Sequence, residues 1–329
     1  MRRLFSRRGH APDEDALELY YASDIHGSDR CWRKFLGAAR FYGLSDVIMG
    51  GDLVGKAVVP VEHRPDGTYM CRFLGDERVA VDDEQLAEIV DAIRFNGMYP
   101  WIAPPEELAR YAGNGAGQDE LFDRVVREDL DRWIALAAER LPENGTHAFV
   151  MAGNDDPWYV DEMLASADAI EFCDDRVVRV GDHEMISCSY ANPTPWDSPR
   201  ELDEEALYRR LKSLAEQVEA PERAIFNLHV PPYDSGLDKA TELKPDLTPR
   251  FSGGQPVEIP VGSHAVRQII EEYQPLLGLH GHIHESRGEA WIGRTLALNS
   301  GSEYNTGRLH GVIVKLGRER VISHQFVVG

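Results

Sequence analysis

Short apolar runs alternate with stretches of helical period along most of the chain. Leu17 to Ser23 reads as a first strand. Trp32, Phe35, Leu36 and Ala39 then recur at i, i+3, i+4, i+7, the spacing of a helix that Gly43 stops. Asp46 to Met49 is a second short strand. This strand–helix–strand unit sets Asp24-Ile25-His26 and Gly51-Asp52 just past strand C-termini, where open α/β sheets take their ligands. The next core strand, His147 to Met151, is delayed by about ninety residues. In that gap Val58 to Glu62 and Thr68 to Phe73 flank the turn Arg64-Pro65-Asp66-Gly67, the pattern of a β-hairpin. Leu86, Ile89, Val90 and Ile93 mark a helix closed by Gly97. Pro100, Pro104 and Pro105 punctuate the next stretch, and Phe122, Val125, Val126, Trp133, Ile134 and Ala137 mark a second helix.

Beyond Met151 the pattern resumes with Gly153-Asn154-Asp155-Asp156 and Pro157, a residue suited to the first turn of a helix. Val177 to Ala191 predicts two strands about Gly181-Asp182, and Glu204 to Val218 predicts a helix. Ala224 to Leu228 is a strand ending in His229-Val230-Pro231-Pro232. A loop rich in Pro and Gly spans Tyr233 to Gly262, a length that hints at a functional surface. Val266, Ile269, Ile270 and Tyr273 form a helical stripe, and Leu276 to Leu279 delivers His280-Gly281-His282-Ile283-His284. Strands at Thr295 to Leu298, Val312 to Leu316 and Val321 to Val328 close the chain. The organisation expected is a tail of mixed charge at 1–16 and one domain over 17–329. An insertion at about 56–145 interrupts that domain and packs as a cap near the site.

Composition narrows the function classes. The chain has 329 residues, 43% hydrophobic and 28% charged, an ordinary globular balance with a net charge of −21 that is not ordinary. So acidic a surface repels phosphate backbones and disfavours long nucleic acid as a partner. Lysine is scarce, 6 against 29 arginines. The four cysteines are far apart with no C-x-x-C pair, which argues against a disulfide framework and makes a reducing cytoplasm the simplest location. No secretory apolar run follows Met1, and no stretch is long enough to span a membrane.

Asp24, His26, Asp52, Asn154, His229, His282 and His284 supply hard carboxylates, borderline imidazoles and one amide, without thiolate. That donor set suits Mn, Fe or Zn in a working site better than Ca or a structural zinc cluster. A carboxylate can bridge two cations about 3.5–4 Å apart, and histidines at i, i+2 on an extended segment point to one side. Singly, each motif is weak: Asp24 could cap the next helix, and His229 could be a satisfied core histidine. Their common order, each after a strand-like run, is what points to chemistry.

That order, Asp-x-His, Gly-Asp, Gly-Asn, a lone His and Gly-His-x-His, resembles the calcineurin-like metallophosphoesterase superfamily across nearly the whole chain. The resemblance implies an α/β fold, a two-sheet β-sandwich flanked by helices, here with a helical and hairpin insertion. It implies two divalent metal ions: Asp24, His26 and His284 on the first, Asn154, His229 and His282 on the second, and Asp52 bridging. A hydroxide bound between the metals would be the nucleophile, with Asn154 holding a phosphate oxygen. One position departs from the family. Asp155 replaces the histidine that stands beside the substrate, and an ionised aspartate neither donates a proton nor attracts an anion. It can bind a polar part of the substrate, point away, or act as a further ligand. A singly charged diester suffers less from it than a monoester dianion, so the expectation is a phosphodiesterase on a small or medium organic phosphate, with Mn as metal. A phosphomonoesterase or protein phosphatase, and a weakly catalytic binding scaffold, are the alternatives. His280, Glu285 and Asp156 are candidates to orient ligands. Ser300, Ser302, Tyr304, Asn305, Tyr233 and Asp234 are candidates for substrate contact, and the cysteines read as structural.

Overall fold

The computed structural model of the protein describes residues 16–111 and 115–329. All but Ala16 of the expected tail lies outside them. Along Leu17–Ala22 side chains alternate, as the pleat requires. Leu19 and Tyr21 face one apolar cluster, while Tyr20 and Ala22 face another. Two six-stranded sheets are built on this principle. The first runs Val321–Val328, His310–Leu316, Leu17–Ala22, Asp46–Met49, His147–Val150, Glu171–Phe172. The second runs Gly288–Ile292, Thr295–Asn299, Leu277–His280, Ile225–Leu228, His183–Cys188, Val177–Val180. Leu19, Ile48 and Phe149 from the first sheet and Met185, Ile225 and Leu279 from the second share one buried cluster, the sandwich interior. The outer faces are covered by helices: Asp29–Tyr42 and Gly115–Asn144 on one side, Glu204–Ala215 and His264–Tyr273 on the other. This is the two-sheet α/β sandwich that the resemblance implied.

Central strands of both sheets run parallel to their neighbours, Leu17–Ala22 with Asp46–Met49 with His147–Val150, and Ile225–Leu228 with Leu277–His280. Parallel strands end together, so the loops after them gather at one edge of each sheet. The helix after the first strand is capped by Ser28, whose side chain accepts from the Cys31 amide. Asp24 is therefore free of the capping role.

The segment after Asp52 forms a four-stranded sheet, ordered Asp76–Ala80, Tyr69–Phe73, Val58–His63, Tyr99–Ala103. The hairpin about Arg64 to Gly67 is present, with Val61 opposite Cys71. Two further strands escaped the pattern. Pro100 suggested a break, yet Tyr99–Ala103 is an edge strand, where a residue without an N–H is tolerated. The helix expected around Phe122 to Ala137 extends over Gly115–Asn144, and its Trp133 stacks on Trp32 at 5.2 Å. The Tyr233 to Gly262 loop is partly ordered as two short strand pairs, Lys239–Thr241 with Glu258–Pro260 and Phe251–Ser252 with Gln255–Pro256. Among the described residues, no helix is long and apolar enough to cross a membrane.

Candidate metal centre

All seven residues singled out by donor type lie in loops that follow parallel strands, and the structure brings them together. Asp24, His26, Asp52 and His282 hold positive φ of 58°, 37°, 53° and 65°. Side chains other than glycine rarely adopt that region, and such strain clusters where surrounding structure needs it. The loops brace one another. The Asp24 amide donates to Gly51 O (2.9 Å), the His26 amide to Asp52 O (2.9 Å) and the Gly281 amide to His229 O (2.9 Å). The carboxylate of Asp24 also accepts from the His282 amide at 3.0 and 3.1 Å, tying one sheet to the other.

Two groups of donor atoms result, Asp24 with His26 and His284, and Asp52 with His229 and His282; in each the atoms lie within 4.8 Å of one another. In the first group His26 Nε2 and His284 Nε2 stand 3.1 Å apart, and His284 Nε2 is 3.4 Å from Asp24 Oδ1. In the second, Asn154 Oδ1 is 3.0 Å from His229 Nε2 and 2.8 Å from His282 Nδ1. Between the groups lies Asp52, whose Oδ2 is 3.5 Å from His26 Nε2 and 3.4 Å from His229 Nε2. His229 Nδ1 donates to Gly50 O at 2.8 Å, which fixes its tautomer and turns Nε2 toward the cluster.

The electrostatics fit a cation site. Burial disfavours charge on both carboxylates. Even so, the His284 hydrogen bond and the His229 charge pull Asp24 down to about 2, and His229 holds Asp52 well below the usual carboxylate range. Burial pushes His26 and His282 down to about 4, so both offer neutral imidazole. At His229 burial is outweighed by the charge and hydrogen bond of Asp52 and by Asp24, which push it up to about 10. Metal uptake must expel that proton. Ionised carboxylates and electron-rich nitrogens facing one another in a dry site are what divalent cations satisfy.

Asp155 is placed by three partners. Lys56 Nζ lies 2.6 Å from its Oδ2, Ser198 Oγ donates to its Oδ1 at 2.6 Å, and Asn154 Nδ2 at 3.0 Å. Its amide donates to Asp52 Oδ1 at 3.0 Å, and with His26 and Asp52 it forms a further possible ligand group. Asp156 is fully buried and accepts from the amides of Leu53, Val54 and Gly153 at 2.7–3.0 Å. It thereby joins the Asp52 and Asn154 loops.

The other candidates divide. Tyr304 packs its ring 4.8 Å from that of His26, and Ser302 Oγ donates to Asp24 O at 2.6 Å. His280 bonds to Leu228 O, Glu285 is exposed, Tyr233 stacks on His264 and the Asp234 amide bonds to Asp238. These four serve strand ends and loops. All four cysteines are free and buried.

Two residues at the site had no motif to announce them. Lys56, one of only six lysines, lies four residues after Asp52, and that scarcity next to Gly-Asp was the available signal. Arg200 had none. Its amide donates to Asn154 O, and its guanidinium donates to Asp156 O, Pro157 O and both carboxylate oxygens of Asp161.

Close approach of the inserted segment to these loops depends on glycine. A Cβ at Gly97 (φ +74°) would lie 2.2 Å from His26 O. Gly97→Ala is expected to cost about 1–3 kcal/mol and to weaken metal uptake through His26. Urea unfolding and metal titration check this against Gly75→Ala, where φ is also positive but no atom lies within 4 Å.

No family model matches the chain. Over 129 residues, 38% of the chain, it is 30% identical to the uncharacterized protein MJ1162 of Methanocaldococcus jannaschii. The match spans 51% of that protein, so the chain covers about half the length of this relative. One solved structure superposes with a TM-score of 0.56 at 14% identity, over 95% of this chain and 98% of its own. TT1561 of Thermus thermophilus gives a TM-score of 0.50, also at 14% identity over 95% and 98%. An archaeal phosphodiesterase gives 0.37 at 12% identity, over 95% of this chain and all of that one. At these identities the likeness to the first two structures is one of fold.

Proposed function

We propose that this chain is a calcineurin-like metallophosphoesterase that hydrolyses phosphodiesters with two divalent cations. The observation that carries the reading is the position of Asp52 Oδ2, nearly equidistant from His26 Nε2 and His229 Nε2 (3.5 and 3.4 Å). A carboxylate so placed could be shared by two cations, which supports the reading. Asp24, His26 and His284 would hold one, and Asn154, His229 and His282 the other. Mn is the first choice and Fe or Zn the alternatives, as the donor set admits all three. Bound there, the cations would supply a nucleophilic hydroxide at neutral pH and offset charge on the phosphate. Overall, the oxygen of water forms the new P–O bond, the ester P–O bond breaks with its electron pair on the alcohol, and the alcohol takes a proton.

The remaining residues position and select. Arg200 and Asp156 hold the loop that carries Asn154. By the resemblance Asp155 would take the place of the family's phosphate-side imidazole, and among the described residues its charge is offset by Lys56, 2.6 Å away. The second negative charge of a monoester would find no further cation there, whereas a diester does not carry one. That supports the diesterase reading over the monoesterase one.

The test is hydrolysis of bis-p-nitrophenyl phosphate and p-nitrophenyl phosphate by metal-stripped protein resupplied with Mn(II). The diester is expected to be turned over at least about tenfold faster by kcat/KM, a difference of about 1.4 kcal/mol. A chelator is expected to abolish the rate. Faster monoester turnover would overturn the preference. No turnover of either ester with two cations bound per chain would favour the binding-scaffold alternative.

A further inference from the structure

Away from the ligand cluster, Lys56, Asp155, Phe122, Trp196 and Ser198 line a hollow of about 360 Å³. Lys56 and Phe122 also line a second, larger cavity of about 630 Å³, so these two residues border both spaces. The larger one lies between the inserted sheet and the helices after it. Val58 and Trp101 come from the sheet, Leu108 and Tyr111 from Pro105–Tyr111, and Leu121 and Phe122 from Gly115–Asn144. Its volume is in the range of small-molecule sites, and its walls are chiefly apolar and aromatic.

The rings are held rather than loose. Trp101 meets Tyr111 edge-on at 5.1 Å, and Phe122 meets Tyr99 edge-on at 6.1 Å. The mouth is held too. The hydroxyl of Tyr99 accepts from the Gly55 amide at 2.7 Å, and a Cβ at Gly55 would lie 2.1 Å from Gly97 O, so Lys56 follows a backbone that the insertion itself pins. An occupant spanning these spaces would place its anionic end at the ligand cluster, past the Lys56–Asp155 pair, and a flat, apolar end in the larger cavity.

We propose that the larger cavity seats an aromatic or heteroaromatic group of the substrate, with the Lys56–Asp155 pair between it and the ligand cluster. The proposal rests on the diesterase reading for the identity of the anion only. It makes the insertion a specificity element and the substrate class an aryl or heteroaryl phosphodiester. Ring burial against Trp101, Tyr111 and Phe122 would supply the binding that a methyl ester lacks.

Binding rather than turnover tests it. Phenylphosphonate and methylphosphonate share a head group and differ in the ring. Their affinities for Mn-loaded protein are measured by calorimetry, with intrinsic tryptophan fluorescence as a second signal. Phenylphosphonate is expected to bind at least about tenfold tighter. Leu108→Trp, which fills the cavity, is expected to erase that advantage and leave methylphosphonate unchanged. Phe122→Ala, which removes a wall, is expected to reduce it. Equal affinities in the wild type, or a ring preference that survives Leu108→Trp, would overturn the proposal. A ring preference lost in Leu108→Trp, in a protein that hydrolyses no diester, would uphold the cavity and sink the diesterase reading alone.

Discussion

Asp52→Asn is expected to lower phosphodiester turnover by about a thousand-fold, about 4 kcal/mol of transition-state stabilisation. The amide keeps the shape of the carboxylate, and its oxygen can still accept from the Asp155 amide as Asp52 Oδ1 does at 3.0 Å. What it loses is the charge on Oδ2. In place of an anion between His26 Nε2 and His229 Nε2, the variant sets a neutral group that cannot hold two cations at once. The apo protein is expected to lose part of its stability, because the buried His229 loses the anion that stands 3.4 Å from its Nε2, although no cavity is made. Three readouts separate this from a general defect: metal per chain by elemental analysis, turnover, and the rise in Tm on adding Mn(II). All three are expected to fall, the last because stabilisation by a ligand follows its affinity for the native state. A variant that kept two cations per chain and wild-type turnover would remove Asp52 from the bridging role.

Arg200→Met is expected to destabilise the fold by about 3–5 kcal/mol, the scale for removing one partner of a buried ion pair. Arg200 is only 1% exposed. Its guanidinium pairs with Asp161 at 2.8 Å and lies 3.6 Å from the buried Asp174. Methionine fills much of the volume but leaves the Asp161 carboxylate and the carbonyls of Asp156 and Pro157 without that donor, and Asp174 without the neighbouring cation. Because those carbonyls belong to the loop bearing Asn154, metal affinity is expected to fall about tenfold as well. The loss also carries a pH signature. Burial pushes Asp174 up to about 6 against the Ser189 hydrogen bond and the Arg200 charge. A carboxyl raised above its unfolded value of about 3.9 contributes stability that is complete below that value and lost as pH rises through the folded one. Without Arg200 the folded value rises further and more is lost. The Tm gap between wild type and variant is therefore expected to widen from pH 4 to pH 7.5. A gap independent of pH would mean that Asp174 does not feel Arg200.

The seven ligand candidates were legible because their chemistry is local in sequence: each sits one to five residues past an apolar run, and the runs set the strands. The strands were legible for the same reason, whereas the sandwich they form was implied by the family resemblance and its interior was set only by how the two sheets pack. Tyr99–Ala103 was not, because Pro100 signals a break unless the strand lies at an edge. Edge position is decided by what pairs with it. Arg200 was not either, since a buried arginine has no pattern apart from the carboxylates and carbonyls that surround it.

By itself, then, the order of apolar runs and donor residues marked out the strands and the ligand candidates, consequences of short-range periodicity and residue chemistry, while the two-sheet architecture and the departure at Asp155 were what the family resemblance implied. The partner of Asp155, the clasp of Arg200 on the Asn154 loop and the aromatic cavity behind Lys56 were decided only by tertiary structure. Each joins segments tens of residues apart, and which side chains meet across such distances is set by packing that no local pattern encodes.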